Sequence, residues 1–272
     1  MPRALRPGFH SSVDYTAAII DNIEEHRADG RPFFACLAMQ APHDPFRLPD
    51  DWRDRHAGRY DDGYDALRAA RIERMKTLGI LDPEATVFPR LPGVPARAQA
   101  GAGPLRMFKG FRSEGGIRVP AIVAGHGVQR GARIADSLTH LMDIPATILE
   151  VAGVPYPDTR DGKPVPPLLG KSLTPIPSGE SDAVRGPADR IGWVLFGNRA
   201  VRMGDWKLVS LCAPYGAGDW QLSDLKADPG ETHDLAAERP EIRDEILRHW
   251  DDYAATHNVI IPDMSPICQP AN

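Results

Sequence analysis

No apolar run in this sequence approaches the roughly 20 residues that a membrane-crossing helix needs. The opening stretch MPRALRPGFHSS also lacks the apolar core of a secretion signal, so a cytoplasmic protein is expected. Cysteine is scarce. Cys36, Cys212 and Cys268 are widely separated, form no Cys-x-x-Cys pair and fit no zinc spacing. Each is expected as a buried or incidental thiol. Charge of one sign is not in surplus: 32 basic residues face 37 acidic ones, for a net charge of −5. That balance gives no general attraction to nucleic acid or to an anionic membrane. A phosphate-cradling glycine loop, a Gly-x-Ser-x-Gly elbow and an internal repeat are all missing.

What is there suits a globular protein. The 272 residues suffice for one large domain or two modest ones, and 42% of them are hydrophobic. Proline (27) and glycine (25) are plentiful enough to predict long connections.

Ser11 and Asp14 stand three apart, as in a capping box, ahead of Val13, Ala17, Ile20 and Ile23 on one helix face. Gly30 and Pro32 end that helix. PFFACLAM (32–39) follows as an unbroken apolar run, which reads as a strand buried on both faces of a parallel sheet. Asp62 is placed to cap a charged helix over Tyr64–Leu78, closed by Gly79. Residues 82–104 show no usable period. IRVPAIVAG (117–125) reads as a second buried strand, and Leu138–Gly153 as a helical region with Pro145 near a helix start. Residues 158–189 read as a surface excursion. WVLFGNRAVRMGDWKLVS then alternates apolar and polar with turns at Gly197-Asn198 and Gly204-Asp205, an antiparallel meander. A short strand at Trp220–Leu222 and a helix opened by Pro240, with Ile242, Ile246, Trp250 and Tyr253 on one face, complete the pattern.

Two segments carry candidate chemistry. In Gln40-Ala41-Pro42-His43-Asp44-Pro45 the imidazole of His43 lies past a predicted strand end, where open α/β sheets bind ligands. It is suited to donating to, or exchanging a proton with, an anionic ester oxygen. The pattern also allows a loop histidine bonded to backbone. In FKGFRSEGGIRVP, Lys109 precedes the close-approach pair Gly115-Gly116 and offers a point charge to a tetrahedral oxyanion. Arg118 has Glu114 or another acidic group as a partner. A solvated lysine and a structural ion pair are the plainer alternative. Asp61, Asp62 and Asp65 fit a helix start better than a metal, and Asp228-Pro229-Gly230-Glu231 fits a turn. His233 and His257 have no companion spacing.

These residues resemble the sulfatases, in particular the bacterial arylsulfatases of the alkaline-phosphatase superfamily. The resemblance runs in order through GFHSSVDYTAAIIDNIEEHRADGRPFFACLAMQAPHDP, GRYDDGYDALRAARIERMKTLGIL, FKGFRSEGGIRVPAIV, LMDIPATILEVAGV, FGNRAVRMGDWKLVS and DPGETHDLA. It implies an α/β fold: a partial alkaline-phosphatase-like sandwich over residues 1–190, with a smaller C-terminal antiparallel-sheet plus helix subdomain over 191–272. It also implies sulfuric ester hydrolysis in complete members. There, a formylglycine made from Cys or Ser in C/S-x-P/A-x-R attacks sulfur, and a calcium ion held by aspartates and an asparagine steadies the sulfate. By motif, His43 matches the family histidine of AP-H-x-P and Lys109 the lysine of K-x₅-GG. Both are expected to be catalytic and substrate-binding.

The chain departs from that pattern where the nucleophile and metal belong. Gln40, Gly216 and Asn272 stand where arginine should follow Cys36, Cys212 and Cys268. No serine is expected to supply the motif. The paired metal aspartates are missing because the chain starts at what resembles the family's middle. The Ser-Asp-Asn-Gly strand end is missing between LGIL and FKGF, which implies an internal loss near 95–100. Neither calcium nor formylglycine is expected to be supported by this chain alone. The expectation is a truncated, catalytically impaired sulfatase. The alternatives are a noncatalytic sulfate- or phosphate-ester binding module, or one half of a split sulfatase whose partner is a complementary fragment. Unpaired strands would also favour self-association.

Overall fold

The computed structural model describes residues 7–28, 30, 33–43, 48–125, 127–131 and 133–261. Pro32, Asp44, Pro45 and Cys268, singled out above, lie outside the described residues. The chain divides into two compact units, Met1–Asp61 and Asp62–Asn272.

The first unit is built on α1 (Ser11–His26) and a single turn, α2 (Asp50–Arg53). His10, not Ser11, caps α1, and its backbone N–H donates to Asp14 Oδ2 at 2.7 Å, which is half of the expected box. The apolar face of α1 is not buried: Val13 and Ile20 remain more than half exposed. The strand expected over 32–39 is not formed in the described part of the unit. Residues 33–40 run without a ladder, with Phe33, Phe34 and Cys36 exposed. Apolar composition cannot make a strand by itself. The ladder needs a neighbouring backbone, and among the described residues none lies alongside.

The second unit opens with α3 (Gly63–Thr77), preceded by Asp62, whose side chain makes no capping hydrogen bond, and closed at Leu78 and Gly79, close to the predicted limits. The stretch 82–104 is not structureless, as its composition suggested. It contains α4 (Ala96–Ala102), which packs on α3. Buried Gln99 accepts from Leu91 N–H at 2.6 Å and donates to the carbonyls of Leu91 and Val94, both at 3.1 Å. Arg71 of α3 donates to the carbonyls of Ala100 and Gly101, and Arg68 to that of Phe88. Side-chain bonds to backbone order this segment, so it needs no apolar period.

A single turn, α5 (Glu114–Ile117), precedes residues 118–124, where the second buried strand was expected. Those residues are instead exposed and without a ladder, and Ile122 is 96% accessible. Helix α6 (Asp143–Val151) follows, then a hairpin of β1 (Thr159–Arg160) and β2 (Lys163–Pro164), and the turn α7 (Pro175–Ser178). The surface excursion is tied down at several points, among them Leu173 N–H to Thr147 Oγ1 and Arg133 to Asp182, and the most buried is at Asp143. Buried Asp143 takes a two-pronged ion pair from Arg185 and accepts the backbone N–H groups of His140 (2.7 Å) and Lys171 (2.9 Å).

The meander forms as read: β3 (Arg190–Leu195), β4 (Asn198–Met203), β5 (Trp206–Ser210) and β6 (Trp220–Asp224) pair antiparallel in that order. The first turn falls on Phe196-Gly197, one residue earlier than predicted, with both residues at positive φ. Alternation then assigns two faces. The row Gly192, Val201, Leu208, Leu222 faces α8 (Pro240–Thr256), whose Ile246 and Trp250 are buried against it. Trp250 also lies 5.3 Å from Trp220, ring to ring. Ala200 and Val209 face the other way, onto Met107 and Phe111. The sheet is thus buried on both faces, which is what brings the lysine segment against it.

Candidate functional site

Lys109 sits on a turn in which Phe111 N–H donates to Phe108 O at 3.1 Å. Gly110 takes φ 106°, a conformation L side chains rarely adopt. The aromatic residues on either side hold this turn in place. Phe111 is 2% exposed, edge-on to Phe108 at 5.1 Å and to Tyr215 at 4.8 Å. Burying such a ring stabilises by about 2–3 kcal/mol. Lys109 itself is exposed, and its ammonium makes no hydrogen bond or ion pair among the described residues.

The other end of the segment is pinned to backbone. Gly115 N–H and Ser113 Oγ both donate to Arg106 O, at 2.8 and 2.9 Å. A Cβ on Gly115 would stand 2.3 Å from Arg106 O, and one on Gly116 2.2 Å from Phe111 O. The two glycines allow this close approach of backbone to backbone, as the motif implied.

Behind them lies a buried charge cluster that sequence reasoning missed. Lys207 of β5, fully buried, places Nζ 2.8 Å from Glu114 Oε1 and 3.1 Å from Glu231 Oε1. Glu231 Oε2 accepts the backbone N–H of Glu114 at 2.6 Å. Arg118 and Arg202 each stand 4.0 Å from Glu114 Oε2. Arg118 also pairs with Asp136 at 2.7 Å, so both partners foreseen for it are realised. Burial pushes the Glu114 carboxyl up, but Lys207, Arg202 and Arg118 hold it below its ordinary range. Glu231 moves the other way: burial raises it and the Glu114 charge adds to that, against the pull of Lys207.

A signal for this cluster was present. In Trp206-Lys207-Leu208-Val209, Lys207 shares its face with buried Val209, and a cation on an inward strand position needs an acidic partner. Glu231 does sit in a turn, its N–H donating to Asp228 O at 3.1 Å, but the turn also delivers its carboxylate.

His43 belongs to the first unit and Lys109 to the second. His43 is exposed at the end of a turn, its backbone N–H donating to Gln40 O at 3.0 Å. Of the acidic group at α3, Asp65 pairs with Arg90 at 2.6 Å. Among the described residues no three His, Cys, Asp or Glu side chains come together as a metal site. No helix among them is long and apolar enough to cross a membrane.

The nucleophile reading needs one correction. Ser181-Asp182-Ala183-Val184-Arg185 does satisfy the five-letter pattern with serine. Its parts are engaged elsewhere, however. Ser181 Oγ donates to Ala183 O at 2.7 Å and accepts Ala183 N–H at 3.2 Å, and Arg185 is held by Asp143. Cys212, expected as a free thiol, is disulfide-bonded.

The arrangement of a meander with a helix across it and a helical part has a counterpart among solved structures. The crystal structure of Ps i-CgsB superposes with a TM-score of 0.58 at 18% identity, over 89% of this chain and 54% of that one. No family profile matches the chain. Individual relatives do. An uncharacterized sulfatase of Schizosaccharomyces pombe is 26% identical over 356 residues, covering 93% of this chain and 63% of its own length. The arylsulfatase of Klebsiella aerogenes is 39% identical over 88 residues, 32% of this chain and 18% of its own length. Arylsulfatase K of Rattus norvegicus is 32% identical over 54% of this chain and 27% of its own. The chain is similar to these sulfatases, and it spans less than two thirds of the length of each of them.

Proposed function

We propose that this chain is similar to the sulfatases in function as well as sequence to this extent: it contacts sulfate or a similar oxyanion through Lys109, and does not turn over sulfate esters by itself. The observation that carries the reading is the unengaged ammonium of Lys109 on a turn clamped at both ends. An ammonium held this way is a pre-placed point charge for a tetrahedral anion. Turnover needs an attacking group as well. The serine in the one matching pentapeptide braces its own turn, and its arginine serves a structural ion pair.

An internal loss is supported by the alignment with the S. pombe sulfatase. It runs over 356 residues yet draws on 93% of 272, about 253 residues, so about 100 positions of the relative face nothing here. A complementary fragment is the second reading, favoured by the exposed apolar residues Val119, Ile122 and Val123 where a paired strand was expected.

The test uses the purified full chain, a chromogenic aryl sulfate with calcium, and calorimetric titration with inorganic sulfate. The expected result is no turnover, an intact mass with unmodified Ser181, and sulfate binding that Lys109→Ala removes. Turnover lost in Ser181→Ala would overturn the noncatalytic reading, and sulfate binding unchanged in Lys109→Ala would overturn the contact. Turnover only on mixing with an N-terminal sulfatase fragment would establish the second reading.

A further inference from the structure

We propose that Lys207 is a positioning residue for Lys109: with Glu114 and Glu231 it fixes the far end of the segment that presents the Lys109 ammonium. The proposal rests on the reading of Lys109 as an oxyanion contact. Lys207 stands on β5, which has a strand on each side and helix α8 packed on the sheet, so its stem starts from a well-held backbone. From there it grips Glu114 through the side chain (2.8 Å), while Glu231 grips the same residue through its backbone N–H (2.6 Å). The next residue, Gly115, returns a hydrogen bond to Arg106 O, closing residues 106–115 into a ring. Lys109 lies within that ring, five residues before Glu114. Two holds on one residue fix both its side chain and its backbone, adding to the packing of Phe111 that anchors the segment near Lys109.

The choice of charged residues is informative. Apolar residues of the same volume are often as stabilising as a buried ion pair, so the benefit of keeping the pair lies in geometric definition. The cluster also joins distant parts of the sequence, since Glu114, Lys207 and Glu231 come from the lysine segment, the sheet and the turn after β6.

The decisive variant neutralises the three central members together, Glu114→Gln/Lys207→Met/Glu231→Gln, so that none of the three is left as a buried charge without the other two. Binding of inorganic sulfate and amide hydrogen exchange are measured on the full chain. The expected result is protected amides in β4, β5 and α8, faster exchange at Phe111, Glu114, Gly115 and Gly116, and sulfate binding weakened at least about tenfold, as small misplacements of a contact group do. A folded variant with wild-type exchange in this segment and wild-type sulfate affinity would overturn the proposal.

Should the variant not fold, exchange in the wild-type chain decides. The amides of Glu114 and Gly115 must then open together with those of β5, and independent opening counts against the clamp. Absence of sulfate binding in the wild-type chain would sink the Lys109 reading, while the exchange results would still report whether the clamp holds the segment.

Discussion

At the scale of single residues, the motif FKGFRSEGG was readable because lysine and paired glycines announce themselves by type. Its supports were not, because Lys207 and Glu231 are 93 and 117 residues from Glu114 and meet it only through the fold. The close packing at Gly116 has a sharp consequence. Gly116→Ala drives a Cβ into Phe111 O, and we expect a loss of about 3 kcal/mol or more in urea unfolding, since backbone cannot yield as a side chain does. A second prediction concerns Asp143. Burial pushes its carboxyl up, but the bonds from Arg185 and from the backbone of Lys171 and His140 hold it below its ordinary value of 3.8. A carboxyl depressed by folding stabilises above its unfolded value, and that contribution is lost as pH falls through the folded one. Asp143→Ala should therefore cost about 3–5 kcal/mol at neutral pH, because it strands buried Arg185. The cost should shrink in acid-unfolding curves below the ordinary carboxylate range.

Among the secondary-structure elements, those that close their own hydrogen bonds or pair with a sequence neighbour were legible. The meander follows from period-two alternation and short turns, and α8 from the spacing of Ile242, Ile246, Trp250 and Tyr253. The two apolar runs at 32–39 and 117–125 were read as strands because apolar runs in α/β proteins usually are. The ladder that would make them strands depends on backbone from elsewhere, and composition does not carry that information. The opposite error occurred at 82–104, where arginines on α3 and a single glutamine do the ordering that an apolar period usually does. A substitution at the sheet–helix seam tests which element dominates stability. Ile246→Ala removes a fully buried side chain between α8 and the sheet and should cost about 2–5 kcal/mol in chemical denaturation.

On the scale of the whole molecule, apolar surface is the notable feature. Phe33, Phe34, Val119, Ile122, Leu141 and Val151 are all more than half exposed. Exposed extended segments of this kind recruit other backbones. We expect association that grows with protein concentration in sedimentation velocity and that Ile122→Lys together with Val119→Lys reduces. A single monomeric boundary across a hundredfold range of concentration would contradict this.

The contact between Trp220 and Trp250 has a use of its own. Indoles this near couple their electronic excitations, so the seating of α8 on the sheet should be readable as a paired circular-dichroism band. Because the opposite face of the same sheet carries the lysine segment, such a band would serve as an optical gauge of the platform on which the proposed anion contact stands.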